Sequence, residues 1–145
     1  MEIHTIGFAG KTAAQFFGTL KAARVRRVLD IRLRNSSQLA GFTKKTDLPF
    51  LLKELCGAEY VHLPQLAPTK QILDRYRKKK ITWEDFERQF LALMAERRIE
   101  ESVDRARFAD GVALLCSEAE AEKCHRRLVA EYLSSKWPDV TVVHL

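Results

Sequence analysis

The chain has 145 residues, 46% hydrophobic and 30% charged, with a formal net charge of +6. That length suits one domain, 1–145, with its own core, and the composition excludes a disordered chain. No apolar run approaches the roughly 20 residues of a membrane span, so no membrane partner is expected. Met1–Gly10 lacks the pattern of a secretory leader, and a cytoplasmic location is expected. Cys56, Cys116 and Cys124 cannot form a complete disulfide set and are expected as thiols.

In chain order, Glu2–Gly7 is β-branched and alternating, which predicts a first strand ending at Gly7. Thr12–Ala23 places Phe16, Phe17 and Leu20 on one helical face, with Thr12 as N-cap. Val25–Ile31 suits a strand of a buried parallel sheet. Arg32–Thr46 is polar and irregular, a long loop of the kind that carries function. Asp47–Leu55 predicts a short helix ended by Gly57, and Glu59–Leu63 a third strand closed by Pro64.

Pro68–Lys79 predicts a helix with a basic face. Thr82 with Asp85 opens another, on which Trp83, Phe86, Phe90 and Met94 form a stripe, with a break near Arg97–Arg98. Val112–Cys116 is the fourth strand. Ser117 and Glu120 fit a capping box for a helix running to about Lys136, and Thr141–His144 is the last strand. The expected fold is a single α/β domain: a mostly parallel five-stranded sheet with helices on both faces, Rossmann-like and three-layered. Ligands of such sheets bind outside the carboxyl ends of the strands. Those ends gather Gly7–Lys11, Asp30–Arg32, His62–Pro64 and Cys116–Glu118 on one edge.

Gly10-Lys11-Thr12 opens a helix after a strand, as a phosphate loop does. The first glycine of that loop would fall at Thr5, inside the strand, so a Walker-type site is rejected. The helix start could still hold one phosphate or carboxylate, with Lys11 adding charge. Asp30 and Arg32 are two apart, either an ion pair or an acid beside an anion clamp. Tyr60 and His62 share a strand face, and His62 is either a titratable strand-end group or a packed one. Cys116 meets the start of the next helix, a position that suits a nucleophile. Glu118 stands beside it as a candidate acid or base, and Arg126 could hold an anion. Cys116 and Cys124 are farther apart than in a zinc knuckle, and adjacent helical Cys124 and His125 would point apart, so no metal or other cofactor is predicted. Both cysteines are equally readable as core residues.

Several of these pieces resemble one family. They are Thr5-Ile6-Gly7, Asp30-Ile31-Arg32, Ser37, Phe42 with Leu48, Tyr60-Val61-His62-Leu63-Pro64, Cys116-x-Glu118 and Cys124-His125-Arg126. The chain is similar over essentially its full length to the family called domain of unknown function 488. It departs from that pattern at Phe8, where the family often has His, at Asn35-Ser36, where a proline often precedes the loop serine, and at Leu66-Ala67. The resemblance implies a compact α/β fold with these residues grouped and no settled activity, nucleotides or nucleic acids being the suspected substrates.

The sequence therefore predicts an enzyme acting on a phosphate-bearing substrate, a nucleotide or nucleic acid. Glu118, Asp30, Cys116 and His62 are the candidate catalytic residues. Arg32, Arg126, Ser37, Tyr60, His125 and Lys11 are the candidate binding residues. The alternatives are a non-catalytic nucleic-acid-binding module, for which Lys70–Lys80 carries six positive residues and one negative, and a metal-binding scaffold.

Overall fold

The computed structural model describes residues 1–36 and 41–145. The candidate binding residue Ser37 lies outside the described residues. Five strands form one sheet: β1 (Glu2–Gly7), β2 (Arg27–Asp30), β3 (Glu59–His62), β4 (Val112–Cys116) and β5 (Thr141–His144). Their order is β3-β2-β4-β1-β5, and all four pairings are parallel. β4 lies at the centre, which explains its unbroken apolar sequence: it is buried on both faces.

Among the described residues six helices connect the strands: α1 (Ala13–Ala22), α2 (Leu48–Cys56), α3 (Lys70–Arg77), α4 (Trp83–Glu96), α5 (Ile99–Ser102) and α6 (His125–Lys136). Strand alternation divides the core. Ile6, Val28, Ala113 and Leu115 pack with Phe16, Phe17 and Leu20 of α1 and Leu48 and Leu52 of α2. Ile3, Leu29, Val112 and Leu114 pack on the other face with Phe86, Phe90 and Met94 of α4 and Leu128, Val129 and Leu133 of α6. This is the expected three-layer α/β domain.

Two helices begin with reciprocal caps, at the Thr12 N-cap and the Thr82–Asp85 box that the sequence suggests. Thr12 Oγ1 accepts from the Gln15 N–H and Gln15 Oε1 from the Thr12 N–H, and Thr82 and Asp85 repeat the exchange on α4. Gly57 ends α2 with φ 63°, a left-handed conformation suited to glycine. α4 stops where Arg98 turns left-handed, at the expected break.

One boundary differs. The sequence predicts a helix from Ser117, but α6 begins at His125, and residues 117–124 form a loop. Tertiary bonds hold it open: the Ala9 N–H donates to the Ser117 carbonyl, and Arg126 donates to the carbonyls of Glu118 and Ala119. Cys124 becomes the residue before the helix, with extended backbone at φ −136° and ψ 140°.

Candidate functional site

The loops after β1, β2 and β4 meet at the carboxyl edge of the sheet. Gly7 makes that meeting possible, because a Cβ there would overlap the Glu118 carbonyl oxygen. Lys11 Nζ donates to the Gly7 carbonyl at 2.7 Å and so ties the first loop down. Burial lowers the Lys11 pKa, helped by the charge of Arg126 and opposed by Glu120.

Arg126 is 1% exposed and has no carboxylate partner among the described residues. Its Nη1 donates to the Glu118 carbonyl, its Nη2 to the Ala119 carbonyl at 3.2 Å and its Nε to Thr5 Oγ1 at 3.3 Å. Thr5 Oγ1 in turn lies 2.6 Å from His144 Nδ1. The guanidinium therefore clamps the loop from behind, with its donors committed to the protein itself.

Asp30 and Arg32 form a buried ion pair. Asp30 Oδ1 accepts from Arg32 N at 3.1 Å and Nε at 2.9 Å, and Oδ2 accepts from Arg32 Nη2 at 2.8 Å and from the Tyr60 hydroxyl at 2.6 Å. Arg32 Nη2 also donates to the Thr43 carbonyl at 2.6 Å, and the guanidinium lies over the Phe8 ring at 5.3 Å. Burial works against the charge on Arg32, but the hydrogen bond and attraction of Asp30 outweigh it and raise its pKa. The Tyr60 pKa is raised by burial and by the hydrogen bond to Asp30. Asn35 donates to the Tyr60 hydroxyl at 3.0 Å, and His62 Nε2 to the Arg32 carbonyl at 2.8 Å. These residues make one network behind the loops. Of Asp30, Arg32, Tyr60 and His62, only Arg32 borders the cavity that Cys116 lines.

That cavity, about 90 Å³, is lined in part by Cys116, Cys124 and His125. His125 Nε2 lies 2.7 Å from the Ile31 carbonyl oxygen, so this nitrogen carries the proton and donates it. Nδ1 is then the unprotonated nitrogen, 3.3 Å from Cys116 Sγ. The ring also packs edge-on against Phe90 at 5.6 Å. A hydrogen bond from the Cys124 thiol lowers the Cys116 pKa, with help from the Ser117 and Glu118 N–H groups and Arg126, against the effect of burial. The same bond and burial raise that of Cys124. Cys116, Cys124 and His125 place their donor atoms within 4.8 Å of one another, a set that could chelate a metal.

The chain matches the family described as "Domain of unknown function DUF488" over residues 12–133. It belongs to the DUF488 family. No curated protein and no solved structure matches it. Within this DUF488 domain, Cys116, Glu118, Cys124 and His125 of the most specific stretch of the resemblance border one cavity, and Arg126 of the same stretch does not. No described helix is long and apolar enough to cross a membrane.

The opposite wall escaped the sequence reading. Leu73 and Tyr76 of α3 and Trp83 and Phe86 of α4 line the cavity, as do Arg34, Arg77 and Lys123. A wider, open recess of about 780 Å³ shares Arg34, Arg77, Ser117 and Glu118 with it and adds Lys11 and Phe42. The signal for this wall was the amphipathic Lys70–Lys80 stretch, whose apolar face predicts packing but not what it packs beside.

Proposed function

We propose that the protein is an enzyme acting on a nucleotide or nucleic-acid substrate in this crevice. The supporting observation is the pairing of two surfaces in one opening. An apolar wall of Leu73, Tyr76, Trp83 and Phe86 suits a planar base, and a cationic margin of Lys11, Arg34, Arg77 and Lys123 suits phosphate. Cys116, Cys124 and His125 border the same cavity, and in this reading the chemistry occurs beside them. Glu118 borders both compartments and is exposed, so it can carry protons to and from a bound substrate. Asp30 and Tyr60 hold Arg32, and Arg126 holds the loop; in this reading all four position the site.

Trp83 reports on the test. A mononucleotide and a short single-stranded oligonucleotide should each quench tryptophan fluorescence at low salt. The double variant Arg34→Ala/Arg77→Ala should bind about tenfold more weakly with an unchanged thermal midpoint. Glu118→Gln should bind normally and lose turnover. Absence of binding to either ligand at low salt would sink the proposal. The exposed Arg75, Lys78, Lys79 and Lys80 beyond the cavity favour the oligonucleotide, and binding without turnover of any nucleotide would leave a binding module instead.

A further inference from the structure

The sequence argument against a metal assumed that Cys124 and His125 both lie on a helix, where neighbours diverge. The helix instead begins at His125, and Cys124 precedes it in extended conformation without capping it through its side chain. The two side chains are thereby free to converge, and with Cys116 their donor atoms fall within 4.8 Å of one another. Tetrahedral zinc with thiolate and imidazole ligands separates its donors by about 3.5–3.8 Å. The 3.3 Å between Cys116 Sγ and His125 Nδ1 lies close to that spacing.

The second observation is the orientation of His125. Histidines that ligate a metal through one nitrogen characteristically donate the other N–H to a carbonyl or carboxylate. Here Nε2 donates to the Ile31 carbonyl at 2.7 Å, which leaves Nδ1 as the ring nitrogen nearer Cys116 Sγ, at 3.3 Å against 3.9 Å. The third is the cavity. All three residues border it, as does Glu118. A closed structural zinc site takes four protein ligands, whereas a catalytic site takes three and leaves one position open.

We propose that Cys116, Cys124 and His125 bind one divalent cation of the zinc class, with the fourth coordination position facing the cavity. Two thiolates and an imidazole select zinc, or cobalt as its probe, over magnesium or calcium. Coordination replaces the two S–H protons, which leave to solvent, so the dication is neutralised by its own ligands. The open position takes a water or an oxygen or nitrogen atom of the substrate, and Glu118 stands at the same cavity to accept its proton. The binding itself does not depend on the nucleotide reading.

The test uses the full chain, kept reduced, with cobalt(II) alone and no nucleotide. One equivalent should produce a thiolate-to-cobalt charge-transfer band in the near ultraviolet and intense tetrahedral bands in the visible. Zinc should bleach both. Cys116→Ser and Cys124→Ser should each weaken binding by at least the roughly tenfold that loss of an outer partner costs. Cys56→Ser, remote from the cluster beside the Phe17 carbonyl, should change nothing. If a variant does not fold, alkylation of the wild-type chain gives the same reading, because one equivalent of zinc should protect Cys116 and Cys124 and leave Cys56 reactive. The proposal is overturned if reduced wild-type protein gives no charge-transfer band, if Cys124→Ser leaves the bands unchanged, or if zinc protects neither cysteine.

Discussion

Asp30 carries more of the site than its position behind the loops suggests. It is fully buried, and both its oxygens are engaged, three bonds coming from Arg32 and one from Tyr60. Asp30→Asn leaves the Arg32 guanidinium buried beside a neutral group, so we expect a loss of about 3–5 kcal/mol in chemical denaturation. The spacing of Asp30 and Arg32 was legible as a pair, but its geometry was not. β2 ends at Asp30, so strand alternation stops there, and the Arg32 backbone N–H turns back onto the Asp30 carboxylate. Cys124 and His125 teach the same lesson in reverse. Residue types marked the cluster correctly, while its assembly depended on a helix boundary one residue away.

At the scale of elements, local signals are correct where nothing competes with them. Thr82 and Asp85 cap α4 as their spacing predicts, and Thr82→Ala should cost about 1 kcal/mol, read as a fall of about 2–4 °C in thermal midpoint. Ser117 and Glu120 offer the same pattern and form no helix. There the carbonyls that a helix would use are taken by Ala9 and Arg126. Such tertiary competition cannot be read from a window of residues. Gly7 is the other half of that arrangement. Gly7→Ala forces the Glu118 carbonyl aside, and we expect about 1–3 kcal/mol of destabilisation together with loss of cobalt binding, since the displaced loop carries Cys116 and Cys124 at its ends. A stable Gly7→Ala protein that binds cobalt normally would show that the two loops move independently.

Across the whole molecule, the layer order and the edge at which the loops gather were legible because strand ends of a parallel sheet collect loops wherever the helices lie. The aromatic and cationic wall was not, because α3 and α4 reach that edge through packing between distant segments. The charge distribution makes a further expectation. Asp139 has a lowered pKa through its hydrogen bond from Arg105, Asp85 through that from Arg88, and Glu100 through that from Tyr132. A carboxylate with a lowered folded-state pKa adds stability above its unfolded value, and that stability disappears as pH falls through the folded one. The thermal midpoint should therefore decline below about pH 4–5, and Asp139→Asn should flatten the decline. A midpoint independent of pH over that range would show these contacts to be energetically neutral.

The central place of β4 also has a consequence for how the chain is made. β1 and β2 do not pair with each other; each pairs with β4, which comes after both in the chain. As the polypeptide leaves the ribosome, β1, β2, β3 and, among the described residues, five helices emerge before the strand that joins β1 to β2. A fragment of residues 1–111 should show no cooperative unfolding transition, and the nascent chain should remain sensitive to protease until β4 emerges. The same late part of the chain carries Cys116, Cys124 and His125, so their cluster forms only once β4 and the start of α6 are in place.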